Sequence, residues 1–229
     1  VLVSLRPPRD DVVATNKIVV KAREIHETLR AKYPNIRIEL TGSQMLSNSF
    51  SEAAQQDLAT LTPTMFVIIA LVLIVTTRKL YATIAAMIVV TLSTAAAMGS
   101  GGWMGIPLSP PASGAPTIIL TVAVADCVHI LITALVAQGR GLDKKAAIVE
   151  SLNVNAQAVF LTSITTAIGL FSLNFSDAPP YRDLGNFAGM GSIFAWIFSM
   201  SLFPALLTVL PMKSSAAVDR QSRSMEWLF

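Results

Sequence analysis

Charge is scarce in this chain, and so is cysteine. Only 14% of its residues are Asp, Glu, Lys or Arg, where soluble domains carry about 25%, and 53% are hydrophobic. That balance excludes an ordinary globule coated in charge. One cysteine, Cys127, excludes an internal disulfide and a multi-cysteine metal centre. Lying inside an apolar run, it reads as a small packed residue. The net charge of +3 is too modest to point to nucleic acid, and the basic residues read better as markers of membrane topology. The chain also lacks an initiator Met and a basic-then-apolar leader, opening on VLVSLRPP and ending on MEWLF. Both ends look cut, and the expectation is a fragment of a longer membrane protein.

The charge that is present sits apart from the apolar residues. About half of it falls in residues 1–57, predicted to form an outside segment. Residues 58–212 are predicted to form a membrane domain and 213–229 a tail leading to a further span. Five apolar stretches, about 61–77, 80–100, 116–138, 156–175 and 185–210, are long enough as helices to cross a hydrocarbon core of roughly 30 Å. The gaps alternate in charge. Arg78 and Lys79, then Arg140, Lys144 and Lys145, and the tail with Lys213, Arg220 and Arg223 form one set. The Pro- and Gly-rich gaps at 101–115 and 176–184 carry Arg182 as their one basic residue. The positive-inside rule puts the first set in the cytoplasm, the second outside, the N-terminal segment outside and the tail inside.

Residues 1–57 read as strand, helix, strand, helix. VLVSL is a short extended run, and Asp10 or Asp11 can cap a helix whose inward face is Ile18, Ala22, Ile25 and Leu29. Pro34-Asn35 stops that helix, and IRIEL (36–40) alternates as a strand does. Thr41-Gly42 then turns the chain into SQMLSNSFSEAAQQDLATL, a helix expected to run into the first span. The expected fold class is thus a polytopic α-helical membrane protein preceded by a partial α/β (βαβα) subdomain. The basic stretch GRGLDKKAAIVESLNVNAQ is expected to be a short amphipathic helix at the cytoplasmic surface.

One acid breaks the apolar pattern. Asp126, in TVAVADCVHILIT, falls near the middle of the third span. An ionisable group there costs about 2.5–3.5 kcal/mol even on the lenient insertion scale, so such residues are functional by default. Val122, Asp126, His129 and Thr133 recur at i, i+4, i+7 and i+11 and share a stripe. An Asp and a His three residues apart can share a proton or a water. Asp126 can therefore alternate between neutral and charged as its surroundings change, which a proton carrier requires. Two such side chains are too few for a metal site, and no motif calls for a cofactor. The next span offers hydroxyls in LTSITTAIG, where Thr162, Thr166 and Gly169 share a face suited equally to helix packing and to a proton relay. Gly185 and Gly189 form a GxxxG pair that favours packing.

TVAVADCVHIL, AVFLTSITTAIGLFSLNFSDAPPYRDLG and a helix ending in LFPALL occur in an order that resembles the RND superfamily, in particular its MMPL-like, predicted-exporter branch. The resemblance covers nearly all of the chain. It implies a proton-driven transporter of twelve spans in two pseudo-repeated halves, of which this chain holds the end of a porter-type domain and spans two to six, the N-terminal half being favoured. By position, Asp126 matches the family's intramembrane acid, His129 the His of the exporter branch, and Thr162 a relay hydroxyl. Relatives of Patched and the sterol-sensing proteins carry GxxxD, and here Val122 stands at the Gly position. The expected function is export of lipids or other hydrophobic molecules across an inner membrane. Its expected partners are membrane lipids, the other half of the polypeptide, and a homo-oligomeric or periplasmic partner. The alternative is a lipid- or sterol-sensing module on the same scaffold. A hydrolase would need a second intramembrane acid or a Ser/His pair within reach, and these spans show one acid and no nucleophile elbow.

Overall fold

The computed structural model describes residues 12–77 and 79–210, with the side chains of 12–15 and 76 excepted. The chain divides into two compact units, with the boundary between Gln56 and Asp57.

In the first unit, helix α1 (Val12–Lys32) is followed by the start of α2 (Ser43–Thr77). Gly42, at φ 136°, makes the turn into α2. Arg23 clamps Glu52 with two hydrogen bonds of 2.8 and 2.9 Å, and Asn48 Nδ2 donates to the same carboxylate at 2.8 Å. His26 Nε2 donates to the Ile38 carbonyl at 2.9 Å. These polar reaches fix how α1 is turned. Val19 is buried and Ile18, Ala22 and His26 are half-buried, whereas Ile25 and Leu29, assigned to the inward face by their spacing, are exposed.

The α/β expectation is corrected here. Among the described residues there is no strand, and residues 37–40 join no ladder. Alternation alone cannot make a strand; a second chain segment must supply the hydrogen bonds. The VLVSL segment, the Asp10 and Asp11 caps and the tail from 213 lie outside the described residues.

Among the described residues, the regular structure of the second unit is all helical. The apolar half of α2 is followed by α3 (Leu80–Trp103), α4 (Ala115–Gly139), α5 (Lys144–Phe171), α6 (Pro179–Met200) and α7 (Leu202–Val209). Among the described residues, five helical segments are long and apolar enough to cross a membrane, α6 and α7 together forming the fifth. Each end has a local cause. Gly105 and Gly141 follow α3 and α4 at φ 72° and 97°, positions that favour glycine. Asp143 caps α5 by accepting from the Ala146 N–H at 3.3 Å, and Pro179-Pro180 open α6. Pro204 has no N–H to give the Met200 carbonyl, so the helix breaks at Ser201 and restarts as α7.

Helix α5 absorbs the segment expected to lie at the cytoplasmic surface. Residues 144–155 are its first three turns, and they are held against α4 because Ser151 and Asn155 are buried there. At the same end, Lys144 Nζ donates to the Thr208 carbonyl at 2.6 Å and to the Leu210 carbonyl. It thereby satisfies acceptors that the end of α7 leaves orphaned.

The core lies among α3, α4, α5, α6 and α7, with α2 touching it through Phe66, Ile69 and Leu73. Much of what faces outward on α2 and α3 is large and apolar, including Val67, Leu71, Val75, Ile84 and Leu92, as suits lipid rather than water. Helices α5 and α6 meet at small residues. A Cβ on Gly185 would run into the Leu170 carbonyl oxygen, and one on Gly189 would lie 2.8 Å from the Phe171 ring. Backbone cannot retreat as a side chain can. Gly185→Ala is therefore expected to destabilise the bundle by about 1–3 kcal/mol. Gly169→Ala, with open space around it, should be neutral or stabilising by up to ~1 kcal/mol. Denaturant titration in detergent micelles checks both.

In the first unit, Arg23 and Asn48 hold the exposed Glu52 carboxyl below its ordinary value through their hydrogen bonds. A depressed carboxylate contributes while ionised and loses that contribution as pH falls through the lowered value. Spin-label distances between α1 and the start of α2 should therefore broaden in acid, as the pH falls through that lowered value. Glu52→Gln should show the broad distribution at neutral pH.

Candidate functional site

The inward face of α4 follows helical spacing: Ile119, Ala123, Asp126 with Cys127, Ile130 with Leu131, and Ala134. Asp126 belongs to that face by its position in the turn, and only 3% of it is exposed. Its nearest donor comes from α5, where Ser163 Oγ donates to Asp126 Oδ2 at 3.1 Å. Helix α6 closes the third side. Ser192 Oγ donates to the Ser163 carbonyl at 3.0 Å, and Ser199, whose hydroxyl donates to the Trp196 carbonyl at 3.0 Å, also faces the Asp126 carboxyl. Ser163, Ser192 and Ser199 are all buried.

The site is thus one carboxyl among hydroxyls, with no cationic side chain beside it among the described residues. That composition has a chemical consequence. A serine hydroxyl donates to a carboxylate, and after rotating it accepts from a carboxylic acid. The same three helices can therefore satisfy Asp126 in either charge state, where an Arg or Lys partner would hold it ionised. Among the described residues no three His, Cys, Asp or Glu side chains come together as a metal site would need.

The other residues predicted for the relay point elsewhere. Successive residues advance by roughly 100°, so His129 lies roughly 60° from Asp126 on the side away from the core, and it is exposed. Thr162 is exposed and returns its hydroxyl to the Ala158 and Val159 carbonyls of its own helix, both at 3.0 Å. Thr166 does the same to the Thr162 carbonyl at 2.7 Å. The hydroxyl that reaches Asp126 belongs to Ser163, one position along. Ser192 and Ser199 were not singled out by the sequence reading. Their signal was there: Gly185, Gly189, Ser192 and Ser199 recur at helical spacing on α6 and mark its close-approach face.

A family model described as MMPL family matches residues 2–229. The membrane protein MJ1562 of Methanocaldococcus jannaschii is 23% identical over 176 residues, covering 77% of this chain and 45% of that protein. The siderophore exporter MmpL5 of Mycobacterium tuberculosis is 25% identical over 199 residues, covering 85% of this chain and 20% of that protein. The chain therefore spans less than half the length of either relative.

Removing the hydroxyl that donates to Asp126 Oδ2 tests this geometry. Ser163→Ala should cost about 1–3 kcal/mol, the penalty for taking a partner from a buried polar group. It should also shift the Asp126 carboxyl stretching band in infrared spectra. Thr162→Ala, which removes an exposed hydroxyl bonded within its own helix, should leave both unchanged.

Proposed function

Because this chain belongs to the MMPL family, we propose that it supplies five membrane spans of a proton-driven exporter in which Asp126 takes up and gives back the proton. The observation that carries this reading is the carboxyl buried among Ser163, Ser192 and Ser199, with no cation beside it among the described residues. In an apolar bundle the ionised form pays for lost hydration, and hydroxyls able to serve either form keep the two states close in free energy. A modest rearrangement of α4, α5 and α6 is then enough to change which form is favoured. By the same linkage, protonation drives the rearrangement. A membrane potential contributes about 2.3 kcal/mol per charge per 100 mV, comparable to the bias such a step needs.

The proposed cargo is a lipid or another hydrophobic molecule, and the role involves no covalent chemistry. MmpL5 is an exporter of siderophores, and the siderophore belongs to that protein. In this reading His129, Thr162 and Thr166, on outward faces of α4 and α5, extend the relay where the remaining half of the same polypeptide packs. The membrane is the inner one, with the N-terminal segment outside and the end carrying Arg140, Lys144 and Lys145 in the cytoplasm, following the charge of the loops.

The test uses the full-length protein reconstituted in vesicles with a pH-sensitive dye inside. Asp126→Asn, matched in shape and unable to ionise, should insert normally while both proton flux and export fall to the level of empty vesicles. Wild-type flux in that variant would remove the proposal.

A further inference from the structure

Helix α3 turns one face away from the bundle along its whole length. Tyr81, Ile84, Ile88, Leu92, Ala95 and Gly99 recur on it at helical spacing, all exposed. Trp103 ends the helix at 90% exposed. From Tyr81 to Trp103 the helix rises roughly 33 Å and its residues return to within roughly 40° of the starting direction. The two rings therefore close the two ends of one apolar stripe. Their separation is close to the roughly 30 Å of a hydrocarbon core. Thr91, beside Leu92, returns its hydroxyl to the Met87 carbonyl of its own helix at 2.8 Å. It offers nothing for a protein partner to bond.

The Pro- and Gly-rich end of the bundle carries more exposed rings. Gly101 lies against the Phe187 ring, and Asn174 exchanges two amide hydrogen bonds with Asn186, of 2.8 and 3.2 Å. Asn186 and Phe187 are neighbours on α6, so Trp103 and Phe175, close in the chain to these contacts, leave the bundle at one level. Phe175 is also 90% exposed, and Met104, Leu108 and Tyr181 at the same end are exposed as well. Residues 104–114 carry no charge, yet the loops here are fastened. Ile106 packs on the cluster of Ala112, Ala115, Phe187 and Ala188. Ser109 Oγ donates to the Pro180 carbonyl at 3.2 Å, and Arg182 Nε to the Ser176 carbonyl at 2.8 Å. Large apolar side chains held out from a fastened, uncharged loop mark a surface made for something other than bulk water. Indole and phenol rings, apolar in body and polar at the tip, suit the headgroup layer of a bilayer.

We propose that Tyr81 and Trp103 mark the two headgroup layers, and that Trp103, Met104, Leu108, Phe175 and Tyr181 form a rim that binds phospholipid at the glycerol level of one leaflet. The loops at the Pro- and Gly-rich end then lie in the membrane surface rather than above it. Leu92, midway between the two rings on α3, falls at the bilayer centre. This placement does not depend on what Asp126 does.

Spin labels on the full-length protein in phosphatidylcholine vesicles, in a cysteine-free background, measure the depth of each position. Leu92→Cys, Trp103→Cys, Leu108→Cys and Phe175→Cys replace exposed side chains, which keeps the cost to folding small. The label at 92 should meet oxygen several-fold more often, relative to a water-soluble nickel chelate, than the labels at 103, 108 and 175. Those three should meet both reagents about equally. Nickel alone at the three positions would put the rim in water, and oxygen alone would put it among the acyl chains. Access by neither would mean that a protein surface covers it. Each of these outcomes overturns the proposal. Unmodified protein gives a second reading that no folding defect can obscure. A phospholipid with a photoreactive diazirine near its glycerol should crosslink to peptides containing Trp103 and Phe175, and one with the diazirine at the chain end to peptides containing Leu92. Absence of the first crosslink would end the idea.

Discussion

A carboxyl without a charged partner can stay inside an apolar bundle only if neighbouring helices come close enough to lay hydroxyls on it. Here that closeness is a matter of missing side-chain volume. Gly185 and Gly189 let α6 settle on α5, Gly191 lets it settle on Ile119 of α4, and the approach brings Ser192 onto the Ser163 backbone and Ser199 onto Asp126. Ser163 then completes the contact from α5. Packing and chemistry are coupled through the same few residues: whatever spreads α6 from its neighbours also strips the carboxyl of its partners.

Serine rather than threonine meets the acid: the three buried hydroxyls sit on the faces of α5 and α6 that turn into the bundle. The threonines of α5 are left to the outer face, where their hydroxyls return to their own helix. Intrahelical bonding of that kind satisfies a hydroxyl in an apolar setting without needing a partner helix.

Much of this architecture was readable in the residues, for a simple reason. A bilayer sets both the length and the composition of what crosses it, so five apolar runs give five spanning segments, and one acid inside them marks the centre. What could not be read depends on partners distant in the chain. IRIEL alternates, but a strand exists only with a second strand beside it, and among the described residues none is. The polar opening of α5 resembles a surface helix until Ser151 and Asn155 are seen to bond to α4. The choice between His129 and Cys127 as the neighbour turned inward beside Asp126, or between Thr162 and Ser163 as its hydroxyl, rests on where the buried stripe falls within a turn. Spacing within one helix leaves that open; the glycines of another helix decide it.

The ammonium of Lys144 holds the last carbonyls of α7 while its own backbone begins α5. Two helices that are far apart in sequence are thereby pinned at one end. Helix α6 reaches α7 through a bent junction at Ser201, where Pro204 has interrupted the hydrogen-bond ladder. The last spanning segment is therefore anchored on both sides of its bend, by the glycine face of α6 against α5 and by the Lys144 ammonium at its far end.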